Sequence, residues 1–125
     1  MERASIPDGT ATGGNARGTY AVDLQTLRNA ATQVAGTAAF SVGARNTASG
    51  VFSVAMGDTC TSTNTATFAM GSQSNATGQY SVAVGIGNTA SGLSAVGLGN
   101  SNTVSSNYST VSGGQSNVAS TNTNA

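Results

Sequence analysis

Side chains able to do chemistry are scarce in this chain. Four carboxylates (Glu2, Asp8, Asp23, Asp58), four arginines (Arg3, Arg17, Arg28, Arg45) and one thiol (Cys60) stand without a histidine among 125 residues. Nucleophilic catalysis needs a base within hydrogen-bond reach of the nucleophile, and a catalytic metal needs several converging ligands. Scattered carboxylates and one isolated thiol satisfy neither requirement, so no enzyme activity, metal or cofactor is expected. The glycine-rich stretches lack the lysine of a phosphate-binding loop. A calcium-binding roll would need an aspartate in every turn, and only Asp58 falls in the repetitive part of the chain. Cys60 has no partner for an intrachain disulfide. It shares a column with Asn46, Ser74, Asn88, Asn102 and Ser116, and reads as a small residue standing in for a polar turn group.

Charge excludes further classes. Lysine and arginine balance aspartate and glutamate at net zero, which leaves no electrostatic case for nucleic acid or an anionic membrane surface. No apolar run reaches membrane-spanning length, and the N-terminus lacks the apolar core of a signal peptide. Neither membrane insertion nor secretion by that route is expected.

What could position side chains here is a repeat. Glycines stand at Gly43, Gly57, Gly71, Gly85, Gly99 and Gly113, each fourteen residues after the last. A period this short is one coil of a solenoid. Charged residues are 6% of the chain, where about a quarter is usual, and such a composition suits a flexible tail. A fixed register argues against one. The sequence divides into an arm, attachment or capping segment at 1–35, repeats at 36–120 and a C-terminal end or cap at 121–125. Within the first, 20–35 has Tyr20, Leu24, Leu27, Ala31 and Val34 at helical spacing, which predicts a short helix. Tyr20, Val22 and Leu24 also alternate as a strand would.

Before each ruler glycine, apolar residues alternate with small ones, the period of a strand with one buried face. The apolar set predicts the coil core: Phe40, Val42, Phe52, Val54, Met56, Phe68, Met70, Tyr80, Val82, Val84, Val96, Leu98 and Tyr108. The column five residues before the glycine runs Ala38, Phe52, Ala66, Tyr80, Ser94, Tyr108. Its small–aromatic alternation predicts side chains interlocking between neighbouring coils, with a true unit of two coils. The opposite strand face is small, and Ser41, Ala55, Ala69 and Ala83 are expected to face other chains in a homo-oligomer. After each glycine, Ala48, Ser62, Ala76, Ala90, Val104 and Val118 point inward from a second short strand. A second column, Gly50, Gly78 and Gly92 with Asn64, Ser106 and Ser120, is predicted to be a left-handed turn. Thr47-Ala-Ser49, Thr61-Ser-Thr63, Thr89-Ala-Ser91 and Thr103-Val-Ser105 form a hydroxyl ladder of the kind ice-binding solenoids use, interrupted at Asn75 and Asn117. Thr110 and Ser112 replace apolar residues in the last coil, which suits a polar cap.

The unit YSVAVGIGNTASG at 80–92 resembles the head repeats of YadA-like trimeric autotransporter adhesins, approximately S-V-A-I-G-x-x-A/N-x-A-x-G. The resemblance covers 36 to about 120. It implies an all-β fold, a left-handed parallel β-roll assembled as a homotrimer, with Val54, Val82 and Val96 beside Met56, Val84 and Leu98 as inward pairs. It also implies an extracellular location and adhesion to a host-cell receptor, a glycan or a matrix protein. The family's secretion signal, coiled-coil stalk and membrane barrel have no counterpart in these residues. The stretch GGNARGTYAVDLQT…ATQVA at 13–35 is similar to segments preceding such repeats in phage and virus fibres. It implies a tail-fibre component on a virion, joined to other fibre proteins through 1–35. The expected function is therefore host attachment by a trimeric fibre head. A bacterial adhesin head, a non-binding spacer and an ice-binding solenoid are the alternatives.

Overall fold

A computed structural model describes residues 17–27, 34 and 36–120. The chain is all-β among these residues, wound as a parallel solenoid. Long strands β1 (Val22–Leu27), β2 (Phe40–Ala44), β4 (Val54–Asp58), β6 (Phe68–Ser72), β8 (Val82–Ile86), β10 (Val96–Asn100) and β12 (Thr110–Val111) form a seven-stranded sheet. Short strands β3 (Thr47–Ala48), β5 (Thr61–Ser62), β7 (Asn75–Ala76), β9 (Thr89–Ala90), β11 (Thr103–Val104) and β13 (Val118–Ala119) form a six-stranded sheet. Every pairing is parallel, and from β2 to β11 each residue faces the one fourteen positions on.

The predicted helix at 20–35 is overturned. Residues 22–27 are strand β1, paired with β2 through Val22↔Phe40, Asp23↔Ser41 and Leu24↔Val42. Strand alternation won because the free edge of β2 supplies partners to the backbone groups of β1 that face it. Residues 28–33 and 35 lie outside the described residues, as do 1–16 and 121–125. The solenoid therefore starts some fifteen residues before the boundary expected at 36. Buried Asp23 enters the interior column next to Ser41 and is paired with Arg17 at 3.3 Å.

The interior reverses the sequence expectation. The residues sealed inside the coils are the small ones: Ala39, Ser41, Ser53, Ala55, Thr67, Ala69, Ser81, Ala83 and Ala95 from the long strands and their approaches, with Ala48, Ser62, Ala76, Ala90 and Val104 from the short strands. Ser41, Ala55, Ala69 and Ala83 thus face their own coil and not another chain. Phe40, Val42, Val54, Met56, Phe68, Met70, Val82, Val84, Val96 and Leu98 lie on the outer side of the long sheet, half-buried or exposed. A coil of fourteen residues brings its two sheets so close that alanine and serine already fill the gap.

Tight corners need special backbone. Besides the ruler glycines Gly43 to Gly99, two columns adopt positive φ: Arg45, Thr59, Gln73, Gly87, Ser101 and Ser116 after the long strands, and Ala38, Phe52, Ala66, Tyr80, Ser94 and Tyr108 before them. Their N–H groups reach back one coil, as Thr59 to the Ala44 carbonyl (2.9 Å) and Phe52 to that of Thr37 (2.9 Å). Each ladder bond offsets part of the roughly 1–2 kcal/mol that a left-handed L-residue costs. Gly50, Gly78 and Gly92, predicted to be left-handed, have no positive φ. They are glycine for clearance: a Cβ at Gly50 would lie 1.9 Å from the Asn64 carbonyl oxygen. The Gly50 carbonyl closes a turn from the Ser53 N–H (3.2 Å). Where Asn64 and Ser106 replace glycine, hydroxyls reach that carbonyl, from Thr67 Oγ1 (2.8 Å) and Ser109 Oγ (2.7 Å).

A buried amide ladder ties the coils together beside the ruler glycines. Asn88 Nδ2 donates to the carbonyls of Val84 (2.9 Å) and Gly99 (2.7 Å), and its Oδ1 accepts from the Asn102 N–H (3.0 Å). Asn102 repeats this with Leu98, Gly114 and Asn117, and Asn46 with Val42, Gly57 and Cys60. Gln25 Oε1 continues the ladder into the first coil by accepting from the Asn46 N–H. Cys60 and Ser74 fill the same column, the serine donating to the Gly85 carbonyl (3.1 Å). In the last coil the successor is Asn117, not Ser116. One extra residue there makes Val118 face Thr103 and Ala119 face Val104, so Ala119, not Val118, continues the short-strand interior column. Gly114 rather than Gly113 meets Gly99: it carries the positive φ, while a Cβ on Gly113 would touch nothing within 4 Å.

Candidate interaction surface

The outer face of the long sheet is an apolar wall. One row runs Val22, Phe40, Val54, Phe68, Val82 and Val96, and ends at Thr110. The next runs Leu24, Val42, Met56, Met70, Val84 and Leu98. In-register parallel pairing makes both rows straight, with neighbours about 4.8 Å apart along the solenoid axis. Soluble monomers rarely leave an apolar patch of such extent to water. Burying one of these side chains between copies contributes on the order of 1.5–3 kcal/mol if it were fully exposed before, and less where it is already half-buried.

A third row stands at the corner leading into this wall. Phe52, Tyr80 and Tyr108 are not strand residues but the positive-φ corner residues, and their rings point out, 62%, 52% and 60% exposed. The interlocking core expected of them is absent. Tyr20 belongs to the same row, which sequence periodicity missed. It has φ 60°, and the Thr19 carbonyl accepts from the Ala38 N–H (2.7 Å) as the Thr37 carbonyl does from Phe52. An insertion puts Val22 eighteen residues from its partner Phe40 and hides this equivalence from a fourteen-residue ruler. The small–aromatic alternation one coil further back was the available signal.

The opposite wall is polar. On the short sheet, Thr47, Thr61, Thr89 and Thr103 share a row with Asn75, and Val118 ends it. Asn75 breaks the hydroxyl ladder as expected, whereas Asn117 is the exposed last rung of the amide ladder. Chemistry-bearing groups gather nowhere on either wall. Among the described residues no three of His, Cys, Asp or Glu come together as metal ligands, and no helix is long and apolar enough to cross a membrane. Cys60 is buried, and desolvation pushes its thiol pKa up. Arg45 grips Asp58 through Nη2 at 2.6 and 2.8 Å and Nε at 3.1 Å. That contact, helped by the Thr59 hydroxyl, holds the exposed Asp58 carboxyl below its ordinary range.

The geometry has a family counterpart. The chain matches the family model for the YadA head domain repeat (2 copies) over residues 35–58, 62–88 and 90–116. Each matched stretch spans about two coils, the unit implied by the aromatic alternation. No curated protein and no solved structure matches the chain.

Proposed function

Because the chain belongs to the YadA head-repeat family, we propose that it is the head of a homotrimeric surface adhesin, in which three copies cover one another's apolar walls. The observation that carries this is the wall itself. Two straight rows of Val, Phe, Met and Leu face outward because the coil interior is already filled by Ala, Ser and Thr, with Val104 its one large apolar side chain within the coils. Association buries those rows, and the rims and the hydroxyl-rich wall remain available to a host-cell receptor, glycan or matrix protein. Three copies on one fibre multiply weak single contacts. The location is extracellular. A bacterial surface and a virion fibre suit this reading about equally.

Sedimentation equilibrium of the chain tests the assembly, with a mass three times that of the 12.1 kDa chain expected. Val82→Asp together with Val84→Asp should lower that mass while circular dichroism keeps its β signal. A wild-type chain that sediments as a stable folded monomer overturns the trimer. Binding of the assembled protein to host cells separates an adhesin from a spacer.

A further inference from the structure

Bulky residues rarely adopt positive φ, and strained backbone of this kind concentrates at functional sites. Here Tyr20, Phe52, Tyr80 and Tyr108 all do so, with φ between 56° and 60°. Their rings gain nothing from the coil interior in return, since all four are more than half exposed. The intervening coils carry Ala38, Ala66 and Ser94 at the same corner with the same positive φ. The fold therefore accepts a small residue at this position, and the aromatic in every second coil needs another explanation.

The spacing supplies one. With coils about 4.8 Å apart, the four rings form a straight row with about 10 Å between neighbours. A recess one coil deep separates each pair. We infer that this row is a binding ridge for an extended, neutral polysaccharide with a two-sugar repeat, of the β-1,4-linked kind. In such a chain every second sugar presents the same face at nearly this interval, and the C–H face of a pyranose stacks on an aromatic ring. The intermediate sugars lie over Ala38, Ala66 and Ser94. Exposed Asn64 and Asn107 and half-buried Gln79 flank the row as hydrogen-bonding groups. Neutrality follows from the charge map: within the coils the ion pair of Arg45 with Asp58 sits at the other end of the long strands, leaving no charged side chain on the aromatic corner from 36 to 120. The inference deepens the adhesin reading by naming a ligand class, and rests on it only for the extracellular setting.

Isothermal titration of the whole chain with cellohexaose and chitohexaose tests it, with maltohexaose as the coiled-chain control and cellobiose as the short one. Either β-linked hexasaccharide should bind well above cellobiose, because several rings act at once, and maltohexaose should not. The variants Phe52→Ala, Tyr80→Ser and Tyr108→Ser copy what the fold already holds in alternate coils, so they should fold. Each should weaken binding roughly threefold to tenfold, with sedimentation mass unchanged. No binding of either β-linked hexasaccharide overturns the inference, as does binding that the variants leave intact. Variants that lower the sedimentation mass would instead assign the ridge to packing between copies, which also overturns it. A monomeric wild type that still binds cellohexaose would sink the trimer alone.

Discussion

Gly71→Ala and Gly113→Ala alter the same column of the fourteen-residue ruler and should have opposite consequences. Gly71 sits at φ 115°, and an added Cβ would lie 2.0 Å from the carbonyl oxygen of Gly85 in the next coil and 2.9 Å from its carbon. Both obstacles are backbone, so only separation of the two coils relieves the contact. A non-glycine residue forced into such a conformation costs about 1–3 kcal/mol. Spreading the coils weakens one or two ladder hydrogen bonds at about 0.5–1.5 kcal/mol each. Together these give a loss of about 1.5–6 kcal/mol for Gly71→Ala. Gly113 has no positive φ and nothing within 4 Å of the added methyl, so its substitution should stay within about 0.5 kcal/mol. Urea denaturation followed by circular dichroism, at one fixed protein concentration because association shifts the midpoint, measures both. Equal losses for the two variants would refute the one-residue slip in the last coil. A harmless Gly71→Ala would refute the steric account of the ruler.

The buried ladder predicts that Asn102→Ala destabilises by about 3 kcal/mol, since the carbonyls of Leu98 and Gly114 and the N–H of Asn117 lose a partner together; Asn102→Ser, copying Ser74, should recover part of that in the same denaturation assay. Ala83→Leu places a large side chain in a fully buried column and should cost about 3 kcal/mol or prevent folding, whereas Val82→Leu on the outer wall should leave the folded signal intact. Asp58 has a folded pKa depressed from 3.8, so its ion pair adds stability above that value and loses it as pH falls through the lower folded one. Wild type should thus exceed Asp58→Asn slightly in thermal midpoint at neutral pH, with the gap closing in acid. A gap that widens in acid would contradict the direction of the shift.

Particular residues show how far the sequence could be read. The register of Gly43 to Gly99 and the alternation of Val82 and Val84 with Ala83 made the parallel solenoid legible, because both are one-dimensional signals. The Gln25 and Asn117 rungs were not legible: an insertion before β2 and an extra residue near Gly113 shift both out of the fourteen-residue frame. Tyr20 was hidden by the same insertion, and without it the corner aromatics read as three rather than four. The alternation before each ruler glycine extends to Phe52, Tyr80 and Tyr108 and so puts them in the core, since positive φ leaves no mark on a hydrophobic pattern.

By itself, the sequence determined the period, the strand polarity and the division of each strand into a large-apolar set and a small set. A period of two separates two faces without saying which of them is inside. The ordinary rule puts the larger apolar residues inward, and here it points the wrong way. Only the tertiary structure decided the question. Five residues out, two residues back and two tight left-handed corners close a cross-section that Ala55, Ala69 and Ala83 fill against Ser62, Ala76 and Ala90. No room remains for phenylalanine. The large side chains are therefore turned outward, and what reads as the core of one chain is its outer wall.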